Sequence, residues 1–228
     1  MTNSYDWVLF DADETLFHFD AYAGLSLMFS QMNLSFSEED FTQYQERNLA
    51  LWKQYEAHEV TARELAERRF DAWTGASGKT GAELNQLFLE AMAEICRPLD
   101  QAVDLIQTLK QSGFVKLGLI SNGFIQLQKV RLEKTGLLDC FEFFMTSEEA
   151  GIAKPHRKIF ENAFARMGNF NPSKVLMVGD NYHSDIKGGI GAGIDTCWFN
   201  LHGKSLPESA SPPTHQVRTL SEIKKLVI

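Results

Sequence analysis

Residues Trp7-Val8-Leu9-Phe10-Asp11-Ala12-Asp13-Glu14-Thr15 set four apolar side chains directly against three acids and a hydroxyl. A short, β-prone apolar run that stops abruptly at charge reads as a buried parallel strand whose carboxyl end is Asp11. Further along the chain, comparable runs occur at Leu117-Gly118-Leu119-Ile120, Phe141 to Met145, Val175 to Val178 and Thr196 to Phe199. Helical patterns separate them. Ile125 to Lys134 mixes apolar and basic residues, and after Pro155 the side chains of Ile159, Phe160, Ala163, Phe164 and Met167 share one helical face. Strands alternating with helices predict an α/β fold, a Rossmann-like parallel sheet covered on both sides. Ligands of such sheets bind at the carboxyl ends of the strands.

Between residues 19 and 96 the strand signal disappears. Ser37-Glu38-Glu39-Asp40 and Thr61-Ala62-Arg63-Glu64 each resemble a capping box that opens a helix, and Gly75 to Gly81 reads as a flexible loop before another helix. The expected organisation is a core of residues 1–18 and 97–228 with a helical domain, 19–96, inserted after the first strand. The chain rejoins the core near Pro98. The aromatics Phe41, Tyr44, Trp52, Tyr55, Phe70 and Trp73 are assigned to the core of that insert. Gly203 to Thr214, rich in Ser and Pro, carries the weakest signal for order.

The strand ends collect an unusual set of side chains. The first supplies Asp11 and Asp13, the second Ser121-Asn122-Gly123, and the connection after the third Lys154-Pro155. The fourth supplies Gly179-Asp180, with Asp185 five residues on. Several carboxylates in one cleft repel one another, and a hard divalent cation such as Mg²⁺ relieves that cost through oxygen ligands. Asp11 and Asp180 are the first candidates as direct ligands, with the backbone carbonyl of Asp13 as a third and Asp185 in the direct or adjacent shell. In an extended segment, residues i and i+2 point to one side. One carboxylate there can attack phosphorus while the other handles the leaving oxygen's proton. Lys154 supplies a cation, and Ser121 with the loop amides around Asn122 supplies hydrogen bonds to phosphoryl oxygens.

Asp-x-Asp-x-Thr, a strand-end Ser, Lys-Pro and Gly-Asp-x-x-x-x-Asp, in that order, resemble the four motifs of the haloacid dehalogenase (HAD) superfamily. The resemblance spans essentially the whole chain, and the insertion resembles that superfamily's helical cap. It implies Asp11 as the residue that becomes an aspartyl phosphate, Asp13 as general acid and base, and Ser121 and Lys154 as phosphate-binding groups. Asp180 and Asp185 would be the acids of the fourth motif. Glu14 departs from the pattern, standing where many members have Gly. A narrower resemblance, carried by Asp11 to Phe17, Met92 to Cys96, Gly123-Phe124, Val130 to Glu133 and Val175 to Asp180, is to the YjjG-type pyrimidine 5′-nucleotidases. It implies a nucleoside monophosphate such as dUMP or dTMP as substrate and Mg²⁺ as cofactor, with Mn²⁺ as a substitute.

Competing readings are a sugar-phosphate phosphatase, a phosphomutase, a dehalogenase on the same fold, and a non-catalytic phospho-aspartate switch. Asp13 argues against the dehalogenase. An insertion after the first strand argues against the switch. Gly78-Lys79-Thr80 echoes a P-loop, but Trp73 stands where its first glycine belongs and no strand precedes it. His183 reads as a surface residue.

Composition narrows the field further. A net charge of -8 with scattered Lys and Arg disfavours a nucleic acid polymer as partner. No apolar run approaches the ~20 residues needed to span a bilayer, and Met1 to Trp7 lacks a leader pattern, so a cytoplasmic protein without membrane association is expected. Cys96, Cys140 and Cys197 are far apart and expected to be free thiols. The sequence leaves monomer and homodimer both open.

Overall fold

The computed structural model describes residues 5–228; residues 1–4, which the sequence reading assigns to the core and to a leaderless terminus, lie outside it. In chain order, β1 (Trp7–Phe10) is followed by five helices: α1 (Ala21–Gln31), α2 (Glu38–Glu56), α3 (Ala62–Arg68), the single turn α4 (Thr74–Ser77) and α5 (Gly81–Glu94). Then come α6 (Ala102–Ser112), β2 (Lys116–Ser121), α7 (Ile125–Lys134), β3 (Phe143–Thr146), α8 (Ser147–Ala150), α9 (Arg157–Met167) and β4 (Val175–Gly179). The chain ends with α10 (Lys187–Ala192), β5 (Asp195–Phe199), β6 (His215–Val217) and α11 (Leu220–Val227). Two compact units result, one of residues Met1–His18 with Arg97–Ile228 and one of Phe19–Cys96.

In the first unit, six strands among the described residues form one all-parallel sheet in the order β3-β2-β1-β4-β5-β6. All four residues of β1 are buried, so both faces of the sheet are covered and the strand reads as a continuous apolar run rather than an alternating one. On one face Trp7 and Leu9 pack with Ile120, Val175 and Met177 against Ile159, Phe160, Ala163 and Met167 of α9. Truncating a fully buried side chain such as Leu9 to alanine should cost about 2–5 kcal/mol. The third strand starts later than its apolar run suggested, because Leu138–Cys140 winds into a 3₁₀ turn and Phe141 is its cap.

The second unit is helical throughout. Ser37 and Thr61 form the expected capping boxes with Asp40 and Glu64, and Thr80 forms another with Glu83 at the start of α5. The stretch read as a loop at Gly75 to Gly81 is therefore partly helical: α4 occupies Thr74–Ser77 and ends at Gly78 in the left-handed region, φ +65°. Tyr44, Tyr55, Phe70 and Trp73 are buried in this unit, while Phe41 and Trp52 are half-buried. No helix among the described residues is long and apolar enough to cross a membrane. All three cysteines are free, Cys140 and Cys197 buried and Cys96 half-buried.

Candidate active site

The sheet order brings the end of β1 between the ends of β2 and β4, and the site grows from that juxtaposition. Asp11 extends the ladder by one bond, its N–H donating to Val178 O at 2.9 Å. Beyond it the backbone turns: the N–H groups of Leu16 and Phe17 both reach Ala12 O, and Glu14 adopts φ +57°. That left-handed conformation is one a glycine adopts without cost, which explains physically why an acid is unusual there.

Asp11 is buried and held on both oxygens. Lys154 Nζ donates to Oδ1 at 2.7 Å and Thr15 Oγ1 to Oδ2 at 3.2 Å. Thr15 Oγ1 in turn accepts from Asp180 N at 3.0 Å, tying the turn after β1 to the end of β4. Asp185 lies in a π-helical turn, Tyr182–Ile186, and is fully buried; its Oδ1 pairs with Lys154 Nζ at 2.8 Å and its Oδ2 accepts from Asn181 N at 3.1 Å. π turns are rare and frequently accompany functional sites. Gly179 makes room for this one, since a Cβ there would lie 2.2 Å from Asp185 Oδ2.

Asp11, Asp180 and Asp185 each offer an oxygen within 4.8 Å of the others. Three carboxylates face one ammonium, and two of them, Asp11 and Asp180, are shifted upward. Burial raises Asp11 well above the ordinary carboxyl range, with Lys154 opposing and Asp185 adding to the rise. Asp180 is pushed up to about 7 by burial and then by Asp185. For Lys154, burial alone would lower its value, but Asp11 and Asp185 outweigh burial and hold it above the usual lysine range. An all-oxygen donor set with excess negative charge fits a hard divalent cation.

The sequence-derived residues divide on inspection. Asp11, Lys154, Asp180 and Asp185 come together. Asp13 does not join the acid cluster of Asp11, Asp180 and Asp185. Its carboxylate instead pairs with Arg131 Nη1 through Oδ1 and receives Gln128 Nε2 at 3.4 Å through Oδ2. Ser121 is fully buried at the end of β2 and accepts from Gln128 Nε2 at 3.1 Å; the cap position of α7 is Phe124, so Ser121 is not capping that helix. Asn122 spends its side-chain amide on Lys154, donating to Lys154 O at 2.8 Å and accepting from Lys154 N at 2.7 Å. It clamps the lysine's backbone, and any phosphate contact from residue 122 falls to its own backbone. Lys154 also donates to Ile120 O at 2.6 Å, so its three N–H groups all have protein acceptors. His183 is exposed.

Comparison with known proteins agrees with this geometry. Residues 5–193 match the model of the haloacid dehalogenase-like hydrolases. The pyrimidine 5′-nucleotidase YjjG of Escherichia coli strain K12 is 47% identical over 98% of both chains. The pyrimidine 5′-nucleotidase PynA of Streptococcus pneumoniae is 32% identical, covering 96% of this chain and 94% of its own. Among solved structures, the HAD-hydrolase YfnB of Bacillus subtilis bound to magnesium superposes with a TM-score of 0.82 at 34% identity, over 98% of this chain and 99% of that one. The chain belongs to the haloacid dehalogenase-like hydrolases; it is an enzyme, a hydrolase built on a parallel α/β core.

Proposed function

We propose that this enzyme is a Mg²⁺-dependent phosphomonoesterase that hydrolyses pyrimidine nucleoside 5′-monophosphates, such as dUMP, dTMP and UMP, to nucleoside and phosphate. The observation that carries the chemistry is Asp11, a buried carboxylate at a strand end, oriented by Lys154 and Thr15 beside Asp180 and Asp185. Similarity to YjjG and PynA supports the substrate class.

In the proposed first half-reaction an Asp11 oxygen attacks phosphorus in line with the 5′-oxygen. The Asp11 O–P bond forms as the P–O5′ bond breaks, and Asp13 gives its proton to the departing oxygen. In the second, a water oxygen attacks the phosphorus of the aspartyl phosphate, Asp13 takes the water's proton, and Asp11 leaves as carboxylate. Phosphoryl transfer of this kind depends mainly on positioning and charge neutralisation. Lys154 holds Asp11 in place and offsets charge, while Ser121 and the Asn122 loop backbone bind phosphoryl oxygens. Asp11, Asp180 and Asp185, with the Asp13 backbone carbonyl, would hold Mg²⁺, which when bound neutralises phosphoryl charge; Mn²⁺ accepts the same oxygen donors. The helical unit is proposed as a cap. A small phosphomonoester in a cytoplasmic setting is the expected partner.

The test is phosphate release from a panel of nucleoside and sugar monophosphates, with Mg²⁺ and with chelator, beside Asp11→Asn. Metal-dependent release favouring pyrimidine nucleotides supports the proposal. Release from sugar phosphates alone would keep the mechanism and discard the substrate.

A further inference from the structure

Helix α7 carries two fully buried polar side chains, Gln128 and Arg131, one turn apart on the same face. Between them they engage both oxygens of Asp13: Arg131 pairs with Oδ1, and Gln128 Nε2 donates to Oδ2 at 3.4 Å. The same Nε2 donates to Ser121 Oγ at 3.1 Å. The opposite amide orientation would set Oε1 against the carboxylate, so the donor assignment follows from charge. Because Ser121 Oγ accepts from Gln128, its own hydrogen is left to point elsewhere. Gly123 leaves room for this cluster, since a Cβ there would stand 3.2 Å from Ser121 Oγ and 3.3 Å from Gln128 Nε2. The Arg131 guanidinium is also seated over the Phe17 ring, 5.6 Å from its centroid. A buried arginine contributes little net stability compared with an apolar side chain of its size, because desolvation offsets pairing. Its placement against a carboxylate that is itself 26% exposed calls for another reason.

We propose that Gln128 and Arg131 are the positioning residues for the general acid and base. Arg131 fixes the rotamer of Asp13, and Gln128 couples that rotamer to the direction of the Ser121 hydroxyl, so that proton donor and phosphate donor are set as one unit. The inference rests on the reading of Asp13 as the residue that protonates the leaving oxygen.

The test compares kcat/KM on UMP, whose alkoxide leaving group needs a proton, with kcat/KM on p-nitrophenyl phosphate, whose leaving group does not. General acid catalysis contributes about 10²–10⁴-fold, so Arg131→Met should lose roughly 10–100-fold on UMP and at most a few-fold on the aryl ester, while Gln128→Met, which also releases the Ser121 phosphate donor, should lose roughly 10-fold more on UMP than on the aryl ester. Arg131→Lys should recover part of the UMP loss, and Arg131→Met added to Asp13→Asn should cost nothing further. Equal losses on both esters, or none, in whichever of the methionine variants folds would overturn the positioning role. Asp13→Asn separates the two readings. If that variant shows no selective loss on UMP, the acid assignment itself fails; if it does and the α7 variants do not, only the positioning role fails.

Discussion

Two polar clusters stand at opposite ends of the same sheet. At the amino ends of the strands, Tyr5 precedes β1 and donates to Asp195 Oδ2 at 3.0 Å, while its oxygen lies 2.8 Å from His215 Nε2. Asp195 and His215 are the first residues of β5 and β6. At the carboxyl ends, Asp11, Asp180 and Asp185 surround Lys154. The amino-end cluster closes on itself. Its phenol is pushed up, by burial first and the Asp195 bond next, and so is held neutral while it pins strands together. The carboxyl-end cluster has more negative charge than its lysine offsets, and two of its acids are pushed up, by burial first and by the neighbouring carboxylates next. Hydrogen bonding is common to both ends. Uncompensated charge is the difference, and it marks the end where a cation and an anionic ester belong.

The comparison breaks most directly at the nucleophile. Asp11→Asn keeps the shape and removes the charge, and kcat for phosphate release should fall by at least about 10⁴-fold. Residual activity near wild type would return the carboxyl end to the same structural status as the amino end.

Lys154→Met should lower kcat/KM by about 10²–10³-fold. It also strands buried carboxylates, and urea unfolding at pH 8 with EDTA should show roughly 3–5 kcal/mol lost. The loss should shrink toward pH 5, where the acids can protonate.

Acidity sharpens the contrast further. A carboxyl whose value rises from 3.8 to about 7 on folding, as for Asp180, stabilises the fold fully only below its unfolded value, and that contribution is lost as pH rises through about 7. With EDTA, the wild-type Tm should therefore fall between pH 5 and pH 8 by more than that of Asp180→Asn. Mg²⁺ should raise Tm more at pH 8 than at pH 5.5, because protons and metal compete for the same oxygens. Equal Mg²⁺ shifts at both pH values would remove the ion from these side chains.

At the amino end the effect should be small and purely structural. Tyr5→Phe should cost about 1 kcal/mol in urea unfolding and leave kcat within about twofold.

Much of the carboxyl end was legible because strand ends are legible. Apolar runs that stop at Asp11, Ser121 and Asp180 give both the sheet and its chemical edge, and the helix Ile125–Lys134 has the limits its pattern suggests. What stayed hidden depends on distant partners. Gln128 and Arg131 look like ordinary polar positions of a mixed helix until the fold carries Asp13, 118 residues from Arg131, against them. Thr15 sits inside a motif, yet its link to Asp180 exists only because β1 and β4 are neighbours. The spacing of Asp11 and Asp13 was legible, but the side chains that engage the Asp13 carboxylate lie on α7, which only the fold brings there. β6, three residues of which one is apolar, is too short for alternation to announce it.

The seam where the helical unit leaves the sheet has its own consequence. Phe17 and Pro98 bridge antiparallel, His18 N–H donates to Arg97 O at 3.0 Å, and Leu99 N–H donates to Leu16 O at 2.9 Å. This short zipper draws exit and re-entry together, so the core keeps its own path whatever is threaded between them. A chain with His18 joined to Arg97 by a few glycines is expected to keep the parallel ladder, which circular dichroism and urea unfolding would check. To the core, the insert is one long loop tied off at its base.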